Sequence, residues 1–67
     1  SLMLINSTNA ELHMTLFDLA GRTIKTITTS NREVRIPIEG LDAGVYLLRL
    51  EGKGGSKTEK VIIASKQ

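Results

Sequence analysis

An all-β sandwich is the fold this sequence predicts. Apolar residues recur at every second position in several short windows. β-Branched residues crowd those windows, and Gly, Asn, Asp or Ser interrupts them at regular spacing. Apolar residues do not recur at i, i+3 and i+4 over any window of a dozen, so no helix of useful length is expected. The pattern gives six to seven short antiparallel strands in two packed sheets. Six can be placed; the seventh strand of a full sandwich is expected to be missing or to lie upstream.

Leu2–Ile5 reads as a short first strand, with Asn6–Ala10 as its loop. In 11–18 the apolar positions are Leu12, Met14 and Leu16, with His13 and Thr15 between them. That is the alternation of a half-buried strand. Phe17 breaks it and is expected on the other face, partly covered. Asp18-Leu-Ala-Gly-Arg22 is a turn, because Asp18 can bond the turn backbone and Gly21 can take positive φ. Residues 22–29 return as a strand rich in Thr and Ile, which suit a pleated surface.

Ser30-Asn31-Arg32 is a polar loop. Residues 33–39 alternate, with Val34, Ile36 and Ile38 on one face and Glu33, Arg35 and Pro37 on the other. Pro37 cannot donate to a ladder, which places this strand at an edge. Gly40–Gly44 connects onward, with Leu41 tucked inward as a plug. Residues 45–51 form the next strand: Tyr46, Leu48 and Leu50 share one face, Val45, Leu47 and Arg49 the other. A five-residue loop, GKGGS (52–56), is expected before a last strand over 57–64. There Val61 and Ile63 lie on one side and Ile62 on the other.

The 67 residues hold a single domain, 1–67, with 1–10 either the remnant of a linker or the first strand. The chain opens with Ser rather than Met and is expected to be the tail of something larger. At about 0.05–0.15 kcal/mol per residue, net stability is roughly 3–10 kcal/mol. With no cysteine there is no disulfide and no thiolate metal site, so packing must supply the stability. The net charge of +2 is scattered, and no run of like charges suggests a nucleic-acid arm. Phe17 and Tyr46 are the only aromatics, too few for a base-stacking or sugar-binding platform. No apolar run reaches the length of a membrane-spanning helix, and no basic stretch precedes SLMLI as in a signal peptide.

No catalytic constellation, cofactor site or metal site is expected, and no small-molecule substrate. His13 is the only histidine, and its parity puts it on the outward face, without the partner and cleft a general base needs. GKGGSK (52–57) lacks the spacing of a phosphate loop and precedes a strand rather than a helix, so it reads as a hairpin tip. Asn6-Ser-Thr8 is a formal glycosylation sequon of a kind common by chance. The acidic residues occur singly, unlike the alternating oxygens of a calcium loop. Asp18 and Asp42 read as turn formers.

Three segments, taken in order, go further: LHMTLFDLAGRTIKTI (12–27), GLDAGVYLLRL (40–50) and TEKVIIASK (58–66). Their order and spacing resemble the C-terminal sorting domains (type A) of Bacteroidetes type IX secretion, or Por secretion system, cargo. That family's pattern is a strand ending in Asp-x-x-Gly-(Arg/Lys), then Leu-x-x-Gly-x-Tyr leading into a strand, then Lys followed by three aliphatics. Asp18, Gly21 and Arg22 match the first element. Leu41, Gly44 and Tyr46 match the second, and Lys60, Val61, Ile62 and Ile63 the third. The Pro-Asn-Pro-like opening usual in the family is absent, and 64–67 extend past its usual stopping point.

The resemblance implies an immunoglobulin-like sandwich that acts as a secretion signal rather than an enzyme. Its partners would be the parent cargo, the outer-membrane type IX translocon and sortase-like components that cleave the domain in many cargoes and spare it in others. The parent would pass through the periplasm to the outer membrane, cell surface or exterior. A fibronectin-like or carbohydrate- or protein-binding accessory module is the competing reading.

Within the resemblance, Asp18, Gly21, Arg22, Leu41, Gly44 and Tyr46 are expected to be scaffold. Translocon recognition is expected at Lys60, Val61, Ile62 and Ile63, because a terminal strand can be engaged by edge addition. The other role for Lys60 is a solvated charge guarding an apolar strand. Arg49 is expected to pair with Glu59 across the final hairpin. The row Val45, Leu47 and Arg49 is apolar enough for a docking patch. Unprotected edges make a homodimer of the isolated chain a further expectation.

Overall fold

Two antiparallel sheets face each other across one core in the computed structural model, which describes residues 2–6 and 10–64. Six strands run in order: β1 (Leu2–Ile5), β2 (Leu12–Asp18), β3 (Thr23–Thr29), β4 (Glu33–Ile36), β5 (Gly44–Gly52) and β6 (Gly55–Ile63). β1 and β4 make a two-stranded sheet. The other four strands form the second sheet in the order β3-β2-β5-β6. The chain therefore crosses between sheets after β1, β3 and β4, as a sandwich requires and a simple meander does not.

Period-two alternation places the core. Met14 and Leu16 from β2, Tyr46 and Leu48 from β5, Ile63 from β6, and Val34 and Ile36 from β4 are buried together. Leu2, Leu4, Leu12, Ile24, Ile27, Leu50 and Val61 pack around them, as do Ile38 and Leu41 from the β4–β5 connection. Leu41 is thus the expected plug, and its amide donates to the Ile38 carbonyl at 3.1 Å. Burying such a side chain is worth about 1.5–3 kcal/mol relative to exposure. A handful of these residues must carry so small a domain.

The structure departs from the sequence reading at three places. β4 stops at Ile36, one residue before Pro37, because Pro37 brings no N–H to the ladder and disfavours continued pairing. The glycine-rich stretch 52–56 is not an open loop. Gly52 pairs with Gly55, so only Lys53 and Gly54 turn the chain, and both strands of the hairpin run longer than their apolar pattern. Arg49 stands opposite Thr58 rather than Glu59 and makes no ion pair there; Glu59 instead holds Lys57 at 3.0 Å.

Candidate recognition strand and its supporting turns

The residues singled out in the sequence fall into two groups, those that fix turns and those that occupy β6. The turn after β2 is built around one carboxylate. Asp18 Oδ1 accepts the amides of Ala20 at 3.0 Å and Arg22 at 2.9 Å, and Oδ2 accepts Arg22 Nε at 2.9 Å. These bonds favour the ionised form. The Arg22 amide leads them in holding the Asp18 carboxyl below its ordinary value, aided by the Arg22 guanidinium. Gly21 follows at φ +88°, a left-handed conformation that a side chain would strain. Asp18, Gly21 and Arg22 therefore act as one unit that reverses the chain between β2 and β3.

The second unit precedes β5. Gly44 has φ +155°, a conformation that other residues rarely adopt. Two residues on, the Tyr46 ring lies in the core at 8% exposure, and its hydroxyl donates to the Asp42 carbonyl at 2.7 Å. The tyrosine thus ties its own strand to the preceding turn and satisfies its polar end within the fold. Its hydroxyl is committed to that turn rather than left for a partner.

β6 is an edge strand, with β5 on one side and no strand on the other among the described residues. Its register is Tyr46 opposite Val61, Leu47 opposite Lys60, and Val45 opposite Ile62. Ile63 is buried and Val61 half-buried, both facing the core. Lys60 and Ile62 face outward, Ile62 at 70% exposure. The four-residue motif therefore splits by parity, with Val61 and Ile63 anchoring the strand and Lys60 and Ile62 displaying it.

The same parity orients the backbone. A two-residue turn is closed by a hydrogen-bonded pair, here Gly52 and Gly55. Alternate pairs exchange bonds from there outward. Lys57, Glu59, Val61 and Ile63 thus bond back to β5. Ser56, Thr58, Lys60 and Ile62 aim their N–H and C=O groups at the open edge. Lys60 and Ile62 are therefore presented twice, by side chain on the outer face and by main chain at the rim.

Around them the outer face is largely apolar. Phe17 on β2 is half-buried opposite Leu47, beside half-buried Val45. The Arg49 guanidinium covers the Phe17 ring. Sequence parity identified this row but not the arginine–ring contact, because it spans two strands distant in the chain. His13 lies on the same face, its Nδ1 2.6 Å from the hydroxyl of Thr28, its partner on β3, with Glu51 opposite it on β5. Asn6 is buried at 4% exposure and its side-chain amide donates to the Ala10 carbonyl at 3.1 Å, so this asparagine serves the fold; the rest of the sequon lies outside the described residues.

The family model described as the secretion system C-terminal sorting domain matches residues 1–64. No curated protein matches the chain.

Proposed function

Because this chain belongs to the secretion system C-terminal sorting domains and is a C-terminal signal for type IX secretion, we propose that the machinery reads it at β6. The family makes the parent protein a cargo of that machinery, exported to the cell surface or the extracellular space. The observation that carries the finer reading is the split of the final motif. Lys60 and Ile62 stand outward at an open sheet edge, while Val61 and Ile63 hold the strand to the core.

In this mechanism the domain folds in the periplasm and offers β6 to the outer-membrane translocon. A preformed strand gives up little ordering entropy when it is bound. Main-chain bonds at Ser56, Thr58, Lys60 and Ile62 supply affinity, and the Lys60 and Ile62 side chains supply selectivity. Asp18, Gly21, Arg22, Leu41, Gly44 and Tyr46 act by holding β2, β5 and hence β6 in register. Removal of the domain by a sortase-like peptidase after passage is the step assigned to cleaved members, and retention to the others.

Two variants of the chain on its exported parent test this. Deleting 60–67 is expected to hold the parent in the periplasm with its own domain folded. Thr58→Pro removes an edge-facing N–H without touching a bond to β5, and is expected to slow delivery while the domain still folds. Normal surface delivery of the deletion variant would refute the role of β6.

A further inference from the structure

β1 is an edge strand of the other sheet. β1 pairs with β4 through Leu2–Ile36, Met3–Arg35, Leu4–Val34 and Ile5–Glu33, and the Asn6 amide continues the ladder to the Arg32 carbonyl at 2.6 Å. Counting back from that bond, Leu4 and Leu2 bond to β4. Met3 and Ile5 aim their main-chain groups at the opposite side, where no strand pairs with β1 among the described residues. Their side chains face outward at 50% and 57% exposure, two of the four large apolar residues the fold leaves most exposed. Native edges are usually guarded by Lys, Pro or a bulge. β1 has none of these, and its sequence LMLI carries no charge.

Beneath this edge the sandwich is open. A two-stranded sheet cannot cover a four-stranded one. A groove of about 610 Å³ remains between the end of β1 and the β5–β6 hairpin, with Leu4, Leu12 and Leu50 among its lining residues. The inward residues of β1 are Leu2 and Leu4, and the outward ones are Met3 and Ile5.

We propose that this edge is a self-association site, where β1 of one copy pairs antiparallel with β1 of a second about a two-fold axis through Leu4. That register is self-complementary. Met3 of each copy stands opposite Ile5 of the other, in pairs that exchange both main-chain bonds, and the two exposed side chains cover each other. Leu4 stands opposite Leu4. Directly opposed residues share a face, so Leu2 and Leu4 of the second copy project over the apolar floor of the first copy's groove. No like charges meet, and the edge fits a copy of itself better than it fits a charged segment. The two sheets become one four-stranded sheet, β4-β1-β1-β4, which removes both β1 edges. β6 lies on the other sheet and stays free, so a dimer would offer two recognition strands at once.

The chain has no cysteine, so a single introduced thiol reports the register. Purified chain carrying Leu4→Cys is expected to cross-link to a dimer under mild oxidant, because the axis brings position 4 against position 4. Met3→Cys is expected to stay uncross-linked, since position 3 faces position 5. Sedimentation of the unmodified chain is expected to show a monomer–dimer equilibrium that Ile5→Lys shifts wholly to monomer. Far-UV circular dichroism and thermal melting establish that each variant keeps its sheet structure. For a variant that loses it, backbone N-methylation at Ile5 in a synthetic chain removes the edge donor and keeps the side chain. A chain that sediments as monomer at every concentration overturns the proposal. So does a dimer that survives both Ile5 changes, or cross-linking that is equal at positions 3 and 4.

Discussion

The guanidinium carbon of Arg49 lies 5.1 Å from the centre of the Phe17 ring, joining neighbouring strands of the larger sheet on its outer face. This contact explains why an arginine interrupts the apolar run of β5. Arg49 sits opposite Thr15, two register steps from the Phe17–Leu47 pair and on the same face, so its long side chain can lie across the ring and shield it. A cation over an exposed ring contributes about 0.5–1 kcal/mol. A double-mutant cycle of Arg49→Gln and Phe17→Leu, read by denaturant unfolding, is expected to return a coupling of that size. A coupling near zero would make the contact incidental.

The Tyr46 hydroxyl predicts a measurable anchor. Tyr46→Phe keeps the ring in the core and leaves the Asp42 carbonyl without its donor. The expected loss is about 0.5–1.5 kcal/mol. For a domain of this size 1 kcal/mol lowers the melting temperature by roughly 4–8 °C. Calorimetry of the variant checks it.

Acid should weaken the turn between β2 and β3. The folded pKa of Asp18 is depressed, chiefly by the Arg22 amide. The contribution of this carboxylate is therefore present above its unfolded pKa, near the ordinary value of 3.8, and is lost as pH falls through the lower folded value. Stability should be flat with respect to this group near neutrality and decline below about pH 4. Asp18→Asn is expected to be less stable than the unmodified chain at neutral pH and to converge on it in acid. Parallel melts across that range decide the matter.

Core truncation tests how little stability the fold has in reserve. Leu48 is 2% exposed at the middle of β5, between β2 and β6. Leu48→Ala is expected to cost about 2–5 kcal/mol, a large share of the roughly 3–10 kcal/mol a chain of this length holds. Loss of cooperative unfolding, read by circular dichroism in urea, is the expected result.

Alternation made most of this fold legible. Leu12, Met14 and Leu16, and Tyr46, Leu48 and Leu50, each keep one parity, and their faces are assigned before any pairing is known. The turns were legible where one residue type has one use, as at Asp18 and Gly21. What escaped was set by partners distant in the chain. Glycines at 52, 54 and 55 look like a slack loop, yet pairing with Glu51 and its neighbours draws 55 and 56 into the ladder. Charge alone pairs Arg49 with Glu59 on the final hairpin, but the true register offsets them by one, and Glu59 meets Lys57. Within the candidate site, the division of Lys60–Ile63 into anchors and displayed residues was already implicit in parity. The edge position of β6 needed the sheet order.

If the address resides in a folded surface ending in β6, it must travel with this chain to a foreign passenger. The chain is fused behind a foreign passenger that carries its own inner-membrane signal, expressed in a cell with a working type IX system, and the passenger is located by protease accessibility on intact cells. Passenger is expected outside the cell with the unmodified chain, and in the periplasm when Lys60→Glu and Ile62→Asp are combined in a domain that still melts cooperatively. Equal surface delivery of both fusions, or of neither, would contradict that address.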